Sequence, residues 1–391
     1  SEDQKTDSPE VSTFAGSPAG SSSSGSTNAT GTSARFKKPY GIASDGTNLY
    51  VTDFGNNLIR KIVISSGEVT TFASGFSGPK GIVIVGSNIY VADTGNHRIR
   101  KIVISTGVVS TLAGSGTAGF ADGTGTAAKF YWPFGMETDG TNLYVADSSN
   151  TRIRKIVIST GVVTTLAGSG SVGSADGTGT AARFSSLAHI TIVGNNLYVA
   201  DRGNHAIRKI VISTGAVTTI AGSAGSTGST NATGTSARFN APYGITSDGT
   251  NLYVADRSNH MIRKIVISTG AVTTLAGSTS SGSTDANGGL AYFKNPTGLT
   301  IDGTNLYVVD SENHKIRKLD LRGTVTANVK LHNLDDDTDV TVSLASSDTT
   351  EGTVTPATLT FTEDNWDTTQ TVTVAGVNDT DRDRHQAYKV S

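Results

Sequence analysis

The segment NIYVADTGNHRIRKIV, at residues 88–103, occurs six times with small changes along this chain of 391 residues. One tyrosine marks every copy, and successive tyrosines are separated by 40, 54, 54, 55 and 54 residues. Self-similarity at a period of this length is typical of propellers and other repeat folds. The six tyrosines are Tyr50, Tyr90, Tyr144, Tyr198, Tyr253 and Tyr307.

Each copy is predicted to form four β-strands, and the fifth copy shows the pattern. A first strand follows the motif Phe-x-x-Pro-x-Gly at residues 239–244, and an Asp-Gly turn leads to a second strand at 252–256. Asp-Gly between two apolar runs is a strong hairpin signal. Two further strands are predicted at 262–267 and 272–277. Because the middle strands are apolar on both faces, each sheet should lie between neighbours, as the blades of a β-propeller do.

The sixth copy lacks its fourth strand, and the start of the chain offers a replacement. Residues 11–17 (VSTFAGS) match residues 109–115 (VSTLAGS) at six of seven positions, although no first piece of a repeat precedes them. We therefore predict that the N-terminal strand completes the sixth blade and closes the ring, which removes an exposed sheet edge. A competing candidate for the same place is the segment 324–329.

Five of the six connections between copies carry an insert, and the link from the first copy to the second does not. Each insert ends in a phenylalanine that is predicted to plug the space between blades. These residues are Phe36, Phe130, Phe184, Phe239 and Phe293.

The motif Tyr-Val-Ala-Asp-x-x-Asn-His-x-Ile-Arg-Lys-Ile resembles the NHL repeat. The resemblance covers roughly residues 11–323 and implies a six-bladed NHL β-propeller. Departures are local: Asn57 and Thr151 replace the histidine, and Leu187-Ala188-His189 replaces Pro-x-Gly in the fourth copy. The recurring histidines and the six Asp–Arg pairs are predicted to be structural, because equivalent positions on separate blades lie too far apart to share a metal.

The rest of the chain differs from the repeats. Residues 1–10 are predicted to be a disordered tether. Residues 324–391 alternate like strands and carry a net charge of −8, and they are similar to Calx-β and Ig-like β-sandwich modules of bacterial surface proteins. Such modules have about seven strands, and five can be found here, so the module is predicted to be incomplete or completed by another copy. The predicted fold class is all-β, a six-bladed propeller with a small C-terminal β-sandwich.

Acidic loops in the C-terminal module resemble the calcium-binding edges of extracellular sandwiches, and carboxylate clusters suit Ca²⁺. The alternative is a solvated acidic loop that binds no ion. The candidate calcium ligands are Asp335, Asp336, Asp337, Asp339, Asp379 and Asp381.

Candidate binding residues are those at which the copies differ while the flanking motif is constant. The residue between Pro and Gly begins each innermost strand and should ring one mouth of the channel, where aromatic side chains suit sugar faces or an apolar peptide side chain. The alternative is a set of scattered surface aromatics. The candidates are Tyr40, Lys80, Phe134, Tyr243 and Thr297, with Tyr131 and Trp132 beside them in the third copy.

Two further departures lie on neighbouring inner strands. His189 replaces a glycine, and Glu137 is the one carboxylate within an inner strand before its Asp-Gly turn. Such a pair could act in acid–base chemistry or form part of a metal site. Two residues are not a full ligand set, so a structural or solvated role is the alternative.

Composition excludes several functions. The chain has no cysteine, and no apolar run approaches the length that spans a bilayer. The bases beyond the repeat pairs are dispersed in sequence and the pI is about 6.4, which argues against nucleic acid. We expect a secreted or bacterial cell-surface protein, non-enzymatic, that binds a protein or glycan and assembles with itself through the C-terminal module. The alternative is a metal-dependent lyase or lactone hydrolase that uses the channel.

Overall fold

The computed structural model of the protein describes residues 9–321, 324–329, 340–344, 352–362 and 370–376. Six antiparallel sheets form from the six repeats, and each serves as one blade, numbered here in chain order. The first strand of every blade contacts the first strand of the next, and the sixth contacts the first. The ring is therefore closed, and the predicted six-bladed all-β propeller is confirmed.

In blades one to five the four long strands run outward from the axis in chain order, and in blade six the N-terminal strand takes the fourth place. First strands are Ile42–Ser44, Pro79–Val85, Pro133–Thr138, Leu187–Val193, Pro242–Ser247 and Pro296–Asp302. Second strands are Asn48–Asp53, Asn88–Asp93, Asn142–Asp147, Asn196–Asp201, Asn251–Asp256 and Asn305–Asp310. Third strands are Leu58–Val63, Arg98–Val103, Arg152–Val157, Ala206–Val211, Met261–Val266 and Lys315–Asp320. Fourth strands are Glu68–Ala73, Val109–Ala113, Val162–Ala167, Ala216–Gly222 and Ala271–Gly277, with Glu10–Gly16 in blade six.

Short elements complete the blades. A two-residue fifth strand from the insert pairs with the fourth strand in every blade except blade two, which has no insert. These strands are Ala29–Thr30, Gly123–Thr124, Gly177–Thr178, Ala232–Thr233 and Ala286–Asn287. Single 3₁₀ turns follow the second strands at Phe54–Asn56, Thr94–Asn96, Ser148–Asn150, Arg202–Asn204, Arg257–Asn259 and Ser311–Asn313. Others lie in the inserts at Gly31–Ser33, Gly125–Ala127, Gly179–Ala181, Gly234–Ser236 and Gly288–Leu290. In the described part of the chain no helix is long and apolar enough to cross a membrane.

The N-terminal strand closes the ring. Glu10–Gly16 pairs antiparallel with the third strand of blade six, Lys315–Asp320, as the sequence predicts. The competing segment, Thr324–Val329, pairs instead with Gln370–Gly376. The closure therefore joins the two ends of the repeat region in one sheet.

The C-terminal region contains five described strands in two small sheets. Thr324–Val329, Gln370–Gly376 and Gly352–Thr355 form a three-stranded sheet in that order. Val340–Ser343 pairs with Thr358–Phe361 in the second sheet. The six aspartates proposed as calcium ligands, and most of the predicted tether, lie outside the described residues.

A buried ion pair joins the second and third strands of each blade, as predicted. The carboxylate that ends the second strand accepts a bond from the first arginine of the Arg-Lys pair at 2.7–3.1 Å. An asparagine three residues after each aspartate also donates to it. The pairs are Asp53–Arg60, Asp93–Arg100, Asp147–Arg154, Asp201–Arg208, Asp256–Arg263 and Asp310–Arg317.

The inserts complete the surroundings of these arginines. The five insert phenylalanines are fully buried, each 5.0–5.2 Å from the guanidinium carbon, which confirms their predicted role as plugs. Each insert also supplies an oxygen to the other guanidinium nitrogen, from Asp122, Asp176, Asp285, Asn28 or Asn231. Blade two has no insert, and Arg100 keeps 16% of its side chain exposed.

The recurring histidines link neighbouring blades. Each lies in the left-handed backbone region, and its Nδ1 accepts a hydrogen bond from a backbone N–H of the next blade at 3.0–3.2 Å. Asn57 of blade one does the same through Oδ1, which accepts from Gly78 at 2.8 Å. The predicted structural role is confirmed. The acceptors and donors are His97 with Trp132, His205 with Ala241, His260 with Asn295 and His314 with Lys38.

These links predict an acid-sensitive stability. Burial lowers the pKa of all four histidines below the ordinary value near 6.5. The unfolded chain therefore binds more protons in this range, so stability is lost as the pH falls below the unfolded pKa of about 6.5. We expect the fourfold His→Asn variant to melt at the same temperature as the wild type at pH 7.5. When the pH is lowered to 5.5, the melting temperature of the variant should fall by less than that of the wild type. Equal losses in calorimetry would contradict this account, and Asn57 shows that Asn fits the position.

Candidate functional site

The first strands approach each other very closely around the axis. A Cβ atom placed on Gly244 would lie 1.8 Å from the carbonyl oxygen of Thr297 in the next blade, and one on Gly41 would lie 2.0 Å from that of Lys80. Only glycine fits such contacts, which explains the Gly of the Pro-x-Gly motif. The preceding variable residue is thereby held at the end of the blade where the first strand begins and the second ends, as in Pro133 opposite Asp147. This end is called the mouth face.

Four aromatic rings from blades one, three and five pack together on the mouth face. Tyr40 lies 5.6 Å from Tyr243 and 4.9 Å from Phe54 between ring centroids. Phe134 lies 5.8 Å from Tyr243 on its other side. Because blades on both sides of the axis contribute, the rings bridge the channel entrance rather than cover one blade.

Three cationic side chains surround these rings. Lys80 Nζ lies 3.6 Å from the centroid of Phe134 and 5.0 Å from that of Tyr40. The guanidinium carbons of Arg202 and Arg257 lie 6.0 and 5.7 Å from the centroid of Tyr243. In the described chain none of the three cations forms an ion pair or a side-chain hydrogen bond. The mouth cluster is defined as Tyr40, Phe54, Lys80, Phe134, Arg202, Tyr243 and Arg257.

The mouth cluster contains three basic side chains and no acidic one. Burial, together with the charges of Arg202 and Arg257, lowers the pKa of Lys80 to about 7. Burial raises the pKa of Tyr243 well above its ordinary value. The neighbouring His189 Nε2 is buried and has no hydrogen-bond partner in the described residues.

The channel behind the mouth is lined by both apolar and polar side chains. It forms a cavity of about 190 Å³ lined by all six first strands, with Glu137 and His189 among its residues. Removal from water raises the pKa of Glu137 to about 7 and, with the charge of Lys80, lowers that of His189 to about 4. Across the residues that the structure describes, no three His, Asp or Glu side chains converge on a metal-sized site. Glu137 and His189 share the cavity without a hydrogen bond between them.

Four of the residues predicted to ring the mouth lie in the mouth cluster, and one is buried between blades. Tyr40, Lys80, Phe134 and Tyr243 meet in the mouth cluster. Thr297 is fully buried, and its hydroxyl donates to the carbonyl oxygen of Tyr40 at 2.9 Å.

Tyr131 and Trp132 also lie on the mouth face, away from the cluster. They are 42% and 51% exposed. Tyr131 packs against His97 at 5.7 Å and Trp132 at 6.1 Å. Neither ring contacts the mouth cluster in the described chain, so the pair is a separate exposed aromatic surface.

Three cluster members were missed by sequence reasoning: Phe54, Arg202 and Arg257. Each follows the aspartate that ends a second strand, where the other blades have Thr94, Ser148 and Ser311. This position varies between constant neighbours just as the Pro-x-Gly position does, so the same criterion could have found it. What it could not show is that the two positions face each other across blades.

Comparison with known proteins agrees with this architecture. Residues 76–102 match the model of the NHL repeat. Protein SUPPRESSOR OF QUENCHING 1, chloroplastic, of Arabidopsis thaliana is 31% identical over 224 residues, which are 53% of this chain and 21% of that protein. NHL repeat-containing protein 2 of Bos taurus is 32% identical over 166 residues, 40% of this chain and 22% of that protein. The chain thus spans about a fifth of the length of these relatives.

Solved structures with the same fold include an auxiliary nutrient binding protein from Bacteroides thetaiotaomicron. It has a TM-score of 0.62 and 21% identity, and the match covers 80% of this chain and 76% of that one. At this identity the likeness shows the fold alone. Together with the blade geometry, the matches establish that the chain is a six-bladed β-propeller that contains an NHL repeat.

Proposed function

We propose that the protein is a non-enzymatic binding protein that presents the mouth face of its propeller to a glycan or protein partner. The observation that carries this proposal is the mouth cluster, which is built from positions where the repeats differ. The positions that recur are accounted for by structure: the ion pairs hold each blade together, and the histidines join blades. The variable positions instead gather aromatic and unpaired cationic side chains around one opening.

The proposed setting is extracellular or on a bacterial cell surface, with self-assembly through the C-terminal strands. Assembly is supported by the C-terminal region, whose described residues form five strands where a typical sandwich has about seven. A binding role also agrees with the description of the Bacteroides protein that shares the fold. Scattering measurements over a concentration series test the assembly, and a monomer at every concentration would contradict it.

The second candidate function is a metal-dependent lyase or lactone hydrolase that uses the channel. Its support is the pair Glu137 and His189 in the channel cavity. A carboxyl group with a pKa near 7 is suited to acid–base work at neutral pH. Elemental analysis of the purified protein separates the candidates, because stoichiometric zinc or calcium that is lost in the E137Q/H189G variant favours the enzyme.

Binding at the mouth face has a direct test. The intact chain is applied to arrays of glycans and of peptides, and the strongest ligand is then mapped by hydrogen–deuterium exchange. We expect protection of the backbone around residues 37–41, 202–205 and 257–260, which belong to the mouth face. Protection confined to the Asp-Gly turns at the opposite end, around residues 45–46 and 248–249, would contradict the proposal. Failure to bind on either array would also contradict it.

A further inference from the structure

We propose that Lys80, Arg202 and Arg257 form a seat for the carboxylate of an acidic sugar, so that the partner of the mouth face is a uronate-type glycan. This inference rests on the binding role proposed above and names its ligand class. The first support is the contrast between two sets of cations. Every repeat arginine has a carboxylate partner within 3.1 Å, whereas the three mouth cations have none in the described chain.

Like charges collected without a counter-ion destabilise a fold unless an anion joins them. Lys80, Arg202 and Arg257 all lie close to the aromatic rings of the cluster, and in the described chain their side chains contact ring faces rather than carboxylates. A cation over a ring contributes little compared with a charge-assisted hydrogen bond to a carboxylate. The cluster is therefore prepared for an oxyanion that would draw the three side chains together.

The mouth face carries further cations outside the cluster. Exposed Lys37, Lys38 and Lys294 precede the first strands of blades one and six. Glu312 is the acid beside them, and it is engaged with Lys38 at 3.3 Å. Lys37, Lys38, Lys80, Arg202 and Arg257 are dispersed in the sequence, and folding brings them to one end of the blades. An anionic ligand would be attracted to this end from solution.

Sugar chemistry suits the seat better than the other sources of an anion. Tyr40 is half-buried in the cluster, and Tyr131 and Trp132 are exposed on the same face, which provides amphipathic rings for the apolar faces of sugar units. A nucleic acid would need cations in a stripe along its backbone, whereas here they group at the axis. A peptide that added to a sheet edge would find the outer edges of five blades already occupied by insert strands.

The test compares two trisaccharides by titration calorimetry at low salt: tri-galacturonate and its methyl ester, in which each carboxylate is converted to a neutral ester. The variant K80M/R202Q/R257Q removes the seat. The control K101Q/K155Q/K209Q removes the same charge from the third strands of blades two to four, whose lysines pair with mid-strand residues such as Tyr144. We expect the acid to bind wild type and control within twofold of each other, and the seat variant at least tenfold more weakly. The ester should bind wild type at least tenfold more weakly than the acid.

Each contrary outcome has a defined meaning. If the ester binds as well as the acid and the seat variant binds both, the carboxylate inference is overturned while glycan binding at the mouth face stands. Tighter binding of triglutamate or of a short oligouridylate than of tri-galacturonate also overturns it, in favour of a peptide or nucleic-acid partner. No binding of either sugar overturns the inference, and the arrays then decide the proposed function separately. Equal melting temperatures of the two variants confirm that any loss is local.

Discussion

Removal of residues 1–17 should lower the melting temperature of the propeller by roughly 10 °C or more, because the deletion opens the ring. The strand Glu10–Gly16 forms the fourth strand of blade six. Its Val11 and Ala15 are 1% and 0% exposed, and the Phe14 ring packs on Tyr307 at 5.1 Å. About five ladder hydrogen bonds at about 1 kcal/mol each, with this apolar burial, amount to roughly 5 kcal/mol or more. In a chain of this size 1 kcal/mol corresponds to about 2 °C.

The deletion also disturbs a buried charge. The Thr13 N–H and hydroxyl both donate to Asp285 at 2.9 Å, and Asp285 holds Arg317 at 2.7 Å. Truncation of residues 1–8 alone is the matched control, since it leaves the strand intact, and it should melt like the full chain. Calorimetry that finds no difference between the two truncations would show that the N-terminal strand does not close the ring in solution.

Replacement of Arg208 by alanine should reduce the free energy of unfolding by about 3–5 kcal/mol, because it leaves the Asp201 carboxylate buried without its cation. Arg208 is fully buried and holds Asp201 at 2.7 Å, Asp176 at 2.7 Å and two backbone carbonyl groups. Its aspartate remains bonded to an asparagine and one backbone N–H, which is insufficient to compensate a buried charge. Denaturant titration of the intact chain measures the loss.

The loss of stability on removal of the repeat arginine should be larger in blades that have an insert than in blade two, which has none. Arg100 of blade two has one carboxylate partner at 3.1 Å and stays partly exposed, so R100A should cost about half as much as R208A, since solvent screens a partly exposed pair. Lys209 is the control: it follows Arg208, is half-buried and has no ion pair in the described residues, and K209A should change stability by less than about 1 kcal/mol. Equal losses for R208A and R100A would mean that the inserts contribute nothing to the ion pairs.

Several features of this molecule could be predicted from the sequence because they depend on short stretches of chain. The period of the tyrosines, the Asp-Gly turns and the alternation of apolar residues predict four-stranded blades, since strand and turn preferences act locally. The match between residues 11–17 and 109–115 identifies the closing strand, because each blade provides the same place for it.

The insert phenylalanines and the Asp–Arg pairs were also recognisable, but not why they occur together. Phe184 and Asp176 reach Arg208 from a loop more than twenty residues earlier in the chain. Their repetition in the sequence predicts a structural role for both. That the insert phenylalanine and the aspartate contact the same arginine depends on how the insert packs against the third strand of its own blade.

The mouth cluster marks the limit of sequence reasoning. Tyr40, Lys80 and Tyr243 were identifiable because the repeats disagree at one position, and Thr297 was selected by the same rule although its hydroxyl is used between blades. Arg202 and Arg257 come from another position in the repeat, and their place beside Tyr243 depends on how neighbouring blades pack around the axis.

The sequence by itself therefore determined the number of blades, their strands and the strand that closes the ring, because these follow from local periodicity repeated six times. Tertiary structure alone decided which side chains meet at the mouth. Lys80 belongs to blade two and Arg257 to blade five, and closure of the ring brings both side chains to one opening. These positive charges are far apart in the sequence but lie close together at the mouth in the folded protein. This concentration of positive charge is the basis of the proposed binding site.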